Sequence, residues 1–142
     1  MSAGKVPIIV VVDRTAEEPV YEQIARQIRM RVAAGELPAG TPLPPVRVLA
    51  SDLGCNPNTV ARAYRLLENE GFVRIRDREG VQVAPPAAKA DAEEMSRLLG
   101  ALRALLARMR QAGAAPEELR AMIAHELEVI HEAPVRSARR RV

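Results

Sequence analysis

The sequence predicts a mainly α-helical chain with one small β-hairpin, and three observations carry that prediction. Between Leu43 and Val83, two short amphipathic segments flank a tight Gly54-Cys55-Asn56 corner and run into a basic ribbon of alternating apolar and polar residues. From Asp91 onward, apolar residues recur at helical spacing in two runs divided by Gly113 and Pro116. Gly35, Gly40 and Gly54 fall where helices would end. Together these describe a winged helix-turn-helix domain over residues 7–85, a C-terminal helical hairpin over 90–132 and a basic, disordered tail over 133–142. A chain of 142 residues with 48% hydrophobic content has room for one such domain and an appendage.

The valine-rich stretch Pro7 to Val12 predicts a strand leading into the first helix. It is too short for a secretory leader, and only Lys5 precedes it. The next well-marked helix begins near Pro45, presents Leu49, Ala50 and Leu53 on one face, and stops at Gly54, the residue type best suited to a left-handed corner.

The helix after the corner has two faces. Val60, Ala63, Tyr64 and Leu67 fall at i, i+3, i+4 and i+7, so they share an apolar stripe that must meet a core. Asn58, Arg62, Arg65 and Asn69 repeat on the other side, turning two guanidinium groups and two amides outward. Asn56 is placed to accept from the free amides of the first turn, and Pro57 stands where a missing N–H costs nothing. Downstream, Phe72, Val73 and Ile75 sit among Arg74 and Arg76, Asp77 to Gly80 make a turn, and Val81 and Val83 alternate with Gln82. That pattern is a hairpin with Arg76 and Arg78 near its tip.

The net charge is only +3, so any attraction to nucleic acid must come from where the charge lies. Arg47, Arg62, Arg65, Arg74, Arg76 and Arg78 all belong to this unit, while acidic residues in the same stretch offset the sum. The expectation is a basic stripe on a nearly neutral domain, facing double-stranded DNA.

After a Pro-Pro-Ala-Ala linker, Asp91 and Glu94 make a capping-box-like start. Met95, Leu98, Leu99, Leu102, Leu105, Leu106 and Met109 then form a broad stripe, and Leu119, Met122, Ile123, Leu127 and Ile130 form another after Pro116. Two helices cannot hide that much apolar surface between themselves. The stripes must meet either the winged domain of the same chain or a second copy of the hairpin. A homodimer is favoured, because readers of this kind gain affinity and register from two half-sites. The expected interface is Leu98, Leu102, Leu105, Met109, Leu119, Ile123, Leu127 and Ile130.

Other function classes find little support. No apolar run approaches a membrane span, so no membrane partner is expected. A lone cysteine, Cys55, cannot form an intramolecular disulfide, which points to the cytoplasm. His125 and His131 lie six residues apart, on opposite sides of a helix, and no cysteine or paired carboxylate completes a metal set. No phosphate-binding glycine pattern appears. The chain is therefore expected to be no enzyme and to hold no metal or cofactor.

The residues from Pro19 to Val83 resemble the DNA-binding domain of GntR-type bacterial transcription regulators. The resemblance lies in the Pro-x-Tyr-x-Gln-Ile start, the Gly-x-Leu-x-x-Gly-x-x-Leu-Pro link, Arg47, Leu49-Ala50, Asn58-Thr59-Val60, Ala63-Tyr64 and Leu67-Glu68. It implies that Arg47 and the residues opening the reading helix, Asn56 to Thr59, touch DNA, and that the wing tip enters the minor groove. There are departures. Pro57 and Ala61 stand where members often have arginines, with Arg62 or Arg65 placed to take over part of that role; Pro45 replaces a capping serine, and Arg78 a wing glycine. The short tail is similar to that of the YtrA-like branch, which implies a dimeric repressor of a palindromic operator, often that of its own transporter operon. The expected division of labour gives Arg47, Asn56 and Thr59 to phosphates, Asn58, Arg62 and Arg65 to base edges, and Arg76 or Arg78 to the minor groove. Two rival readings are a switch with an effector pocket at the C-terminal helices and a winged module that holds a protein partner.

Overall fold

A computed structural model of the chain describes residues 10–76 and 80–140, with side chains as far as residue 130. In chain order the elements are α1 (Val20–Ala33), β1 (Pro42–Leu43), α2 (Val46–Leu53), α3 (Pro57–Asn69), β2 (Val73–Arg76), β3 (Gly80–Val83), α4 (Ala92–Gln111) and α5 (Pro116–Arg140). Helices predominate, and the winged helix-turn-helix with a C-terminal helical pair is present as the residue pattern predicts.

The core forms where three amphipathic faces meet. Ile24 and Ile28 of α1, Leu49 of α2, and Val60, Tyr64 and Leu67 of α3 are almost wholly removed from water. Val73, Val81 and Val83 close the core from the sheet. Burial of these side chains drives the unit together. One polar contact orients it: the Tyr64 hydroxyl donates to the Pro44 carbonyl at 2.6 Å, tying the middle of α3 to the residue that opens the approach to α2. Burial pushes the Tyr64 phenol well above its ordinary ionisation range.

The sheet has three antiparallel strands in the order β1-β3-β2, one more than the predicted hairpin. β2 and β3 pair with Val73 opposite Val83 and Ile75 opposite Val81, while β1 adds Pro42 and Leu43 opposite Gln82 and Val81. A two-residue strand carries no alternation to detect, and Pro42 can sit there because an edge strand tolerates a residue without an N–H. The Val83 amide donates to the Thr41 carbonyl at 2.9 Å, extending the same seam.

The strand expected over Pro7 to Val12 does not form in its described part, residues 10–12; residues 7–9 lie outside the described residues. Val10 is buried, but the neighbouring backbone is met by side-chain amides of α1 instead of by a strand. Gln27 accepts from the Val11 amide at 2.9 Å and donates to the Val11 carbonyl at 2.7 Å; the buried Gln23 does the same for Asp13 at 2.8 Å each way. A glutamine amide offers one acceptor and a donor in one plane, as a neighbouring peptide would. It therefore satisfies the segment without a sheet.

Helix ends follow the local chemistry. Gly54 closes α2 in the left-handed conformation at φ 67°, and Arg14 donates to the carbonyls of Leu53 and Gly54 at 2.9 and 2.6 Å. Asp91 caps α4 by accepting from Glu93 and Glu94, yet the Glu94 carboxylate pairs with Arg97 and does not reach back. The expected capping box is thus only half made there. Its other half appears at α5, where Glu118 accepts from the Ala115 amide at 2.9 Å. α5 then runs through Pro134 to Arg140, so residues 133–140 continue the helix where a disordered tail is expected. Good helix formers, Ala133, Ala138 and the arginines, follow or flank that proline.

Candidate nucleic-acid interface

α3 carries the candidate reading face. Asn56 opens it by accepting from the Asn58 amide at 2.8 Å, and Pro57 holds the first helical position. With Val60, Ala63, Tyr64 and Leu67 buried, the helix can turn only its other flank outward, where Asn58, Arg62 and Arg65 are exposed and Thr59 is half-buried. Arg47 is exposed on α2 and Arg74 and Arg76 on β2. Arg78 lies outside the described residues.

Ion pairing divides the arginines of the winged unit into two sets. Arg26 meets Glu18 at 2.9 Å, Arg29 meets Glu70 at 2.8 Å and Arg31 meets Glu36 at 3.4 Å, while Arg14 is held by backbone carbonyls. The bond from Arg26 holds the Glu18 carboxyl below its ordinary range and raises the guanidinium in turn. Arg47, Arg62, Arg65 and Arg74 make no ion pair with any described residue. Charges left uncompensated on an exposed surface are those available to an external anion, and here they lie on α2, α3 and the first wing strand.

Two contacts shape this surface, and residue spacing pointed to neither. The Arg62 guanidinium lies over the Tyr21 ring of α1, 3.9 Å from its centre. The Glu68 carboxylate accepts from the Ile75 amide at 2.8 Å, so the end of α3 grips the outer edge of the wing. Tyr21 and Glu68 both occur in the motifs quoted above, but a motif states identity without stating the partner.

Elsewhere, an apolar hollow of about 480 Å³ is lined by Val32, Leu37, Phe72, Val83 and Pro86 among others. None of its lining residues belongs to α4 or α5 or to the expected DNA contacts. Among the described residues no cluster of histidine, cysteine and carboxylates is arranged to hold a metal, and no helix is long and apolar enough to cross a membrane.

The apolar stripes of the C-terminal helices stay uncovered. α4 has no buried residue, and Leu98, Leu102, Leu105 and Met109 are 37–53% exposed. Ile123, Leu127 and Ile130 of α5 are exposed as well. Leu119 is the exception: only 6% exposed, it is already buried within the chain and is not available to a partner. α5 rests against α1, with Val129 lining the same shallow hollow as Met30 and Ala34, but this contact leaves both stripes open.

Comparison with known proteins bears directly on this surface. The family described as bacterial regulatory proteins, gntR family, matches residues 20–83, which span α1 to β3. The chain is 44% identical over 96 residues to the HTH-type transcriptional regulator Rv1152 of Mycobacterium tuberculosis, covering 66% of this chain and 79% of that protein. It is 33% identical over 109 residues to the HTH-type transcriptional repressor YtrA of Bacillus subtilis, covering 76% of this chain and 84% of that protein. Among solved structures, it is similar to a transcriptional antiterminator from Listeria monocytogenes EGD-e, with a TM-score of 0.75, 25% identity, and 87% and 93% of the two chains covered. The match spans the reading helix, its supports and the wing, and it extends with YtrA into the helical tail: the chain belongs to the gntR family of bacterial regulatory proteins, as a YtrA-like, DNA-binding transcriptional regulator.

Proposed function

We propose that two copies join through the apolar stripes of α4 and α5 and bind a palindromic operator as a repressor, in the cytoplasm. The observation that carries this reading is the coexistence of an outward reading helix with stripes that the chain's own winged unit leaves open. Seven of the eight residues expected at the interface are at least 37% exposed in the single chain, an extent of apolar surface that marks interaction sites. A two-fold pair sets two α3 helices in successive major grooves, roughly one turn of DNA or a multiple apart.

Within each half-site, Arg47 and the start of α3 hold phosphates, with Asn56 committing its side-chain oxygen to the cap and keeping its amide hydrogens for the backbone. Thr59 supports the same contact. Asn58 and Arg65 face base edges, and Arg76 and Arg78 follow the flanking minor groove. Arg74, one of the arginines of the expected basic stripe, joins the phosphate contacts because it is exposed and has no ion pair. Occupation of the promoter then excludes polymerase; the similarity to YtrA, a named repressor, supports that sign of regulation.

Selection of bound fragments from a genomic duplex pool, with sedimentation of the free protein and of the complex, tests the whole reading. A palindrome bound by two chains is expected. Enrichment of an asymmetric site by single chains would overturn it.

A further inference from the structure

Arg62 projects from the exposed flank of the reading helix, where spacing alone assigns it to a base edge. The structure surrounds it differently. Its guanidinium lies 3.9 Å from the centre of the Tyr21 ring and makes no hydrogen bond or ion pair with a described residue. Tyr21 belongs to the first turn of α1, beside a start that has no side-chain cap, and its hydroxyl donates to Glu22 at 3.1 Å. The contact therefore ties the first turn of α1 to the second turn of α3.

A guanidinium whose central carbon sits 3.9 Å over an aromatic ring is held by the negative face of that ring. Anchored against α1, it has less freedom to extend along the groove. The ring leaves all five donors unengaged while holding the charge in one place. Such a group suits a fixed anion, which in a duplex is a backbone phosphate.

We infer that Arg62 is a phosphate clamp and that Tyr21 is the positioning residue that holds it, an assignment that rests on the DNA-binding reading of α3. Sequence discrimination then falls to Asn58 and Arg65. Arg62 fixes the angle at which α3 enters the groove, because its anchor lies on α1 and not on α3.

The pair predicts four linked results, read by fluorescence anisotropy on a mixed-sequence duplex and on a selected high-affinity duplex over a range of salt. Tyr21→Leu weakens binding to both duplexes alike, by roughly 3- to 30-fold, whereas Tyr21→Phe, which keeps the ring and loses the Glu22 bond, binds as wild type. Arg62→Ala weakens both duplexes and lowers the slope of log affinity against log salt by about one. The double variant Tyr21→Leu with Arg62→Ala is no weaker than Arg62→Ala alone. Circular dichroism confirms that each variant is folded. Loss of discrimination at a single base pair in Arg62→Ala, with the salt slope unchanged, would overturn the clamp. Wild-type binding by folded Tyr21→Leu would overturn the positioning role. Arg65→Ala separates the two levels: if it too leaves binding unchanged, the DNA face itself is misassigned, and if it alone weakens binding, only the clamp fails.

Discussion

Glu68, in the last turn of α3, accepts from the backbone amide of Ile75 in β2 at 2.8 Å. The amide would otherwise lie unpaired on the outer edge of the sheet, since β2 pairs only with β3. The reading helix and the wing are thus joined by a charged hydrogen bond as well as by the Val73 and Leu67 packing between them.

Replacing Glu68 by Ala is expected to free the wing, at a cost of about 1.5–3 kcal/mol, the range for a hydrogen bond to a charged group. Amide exchange followed by NMR should show Ile75 losing protection before the core of α3 does. Glu68→Gln keeps an acceptor oxygen and should recover most of the loss. Equal protection at Ile75 in wild type and Glu68→Ala would contradict this role.

Tyr64→Phe removes the hydroxyl that donates to Pro44 and leaves a half-buried carbonyl without that partner. Thermal unfolding should report a loss of about 1–2 kcal/mol. Alkaline pH tests the same site by linkage. Burial raises the Tyr64 phenol above its ordinary range, so the unfolded chain gives up this proton first. Its stabilising contribution is complete below about pH 10 and declines as pH rises beyond that. Tyr64→Phe should lose less stability than wild type across that interval.

Gly54→Ala puts a side chain on a residue at φ 67°, where an added Cβ meets only Arg14 Nη2 at 3.6 Å. Space is adequate, so the cost is conformational, roughly 1–2 kcal/mol. Chemical denaturation should show that loss with little change in the slope of the transition. Arg14→Ala, which releases the Leu53 and Gly54 carbonyls, should cost about 1 kcal/mol by a separate route.

Leu102→Glu combined with Leu127→Glu tests the proposed dimer. Both leucines are exposed in the single chain, 44% and 59%, so the winged unit should fold as before. Removing two buried leucines from an interface should raise the dimer dissociation constant at least about tenfold. Analytical ultracentrifugation measures it directly, and unchanged association would exclude these faces from the interface.

Mild acid should loosen the segment that leads into α1. The Thr15 hydroxyl and amide hold the Asp13 carboxyl below its ordinary range, and Arg26 does the same for Glu18. Each lowered value means that stability is present above the ordinary carboxylate range and is lost as pH falls through the lowered value. Asp13 is exposed and Glu18 is only half-buried, so the effect is small and screened by salt. The double variant Asp13→Asn with Glu18→Gln should lose less melting temperature than wild type between neutral pH and about pH 3.

Much of the candidate surface was legible in the order of residues. The helical period of Val60, Ala63, Tyr64 and Leu67 dictated which flank of α3 faces out, because a stripe that leaves water fixes the opposite side. Asn56 with Pro57 and the corner glycine Gly54 marked the helix ends, since capping and left-handed backbone are local chemistry. Near the first helix and the sheet, short or weak patterns mislead. Pro42-Leu43 is too brief to alternate, and the valines before Asp13 have strand character but find side-chain amides in place of a neighbouring strand.

The partners of individual side chains were not legible. Nothing in the spacing tells that Arg62 lies on Tyr21, that Glu68 holds Ile75, or that Arg26 and Arg29 are neutralised while Arg47, Arg65 and Arg74 are not. The sequence by itself determined the helices, their buried and exposed flanks, the corner and the family, because period, caps and turn residues act over a few neighbouring positions. Only the tertiary structure decided which of these arginines lie in ion pairs and that the tail's apolar stripes stay open, because pairing and burial depend on groups brought together from distant parts of the chain.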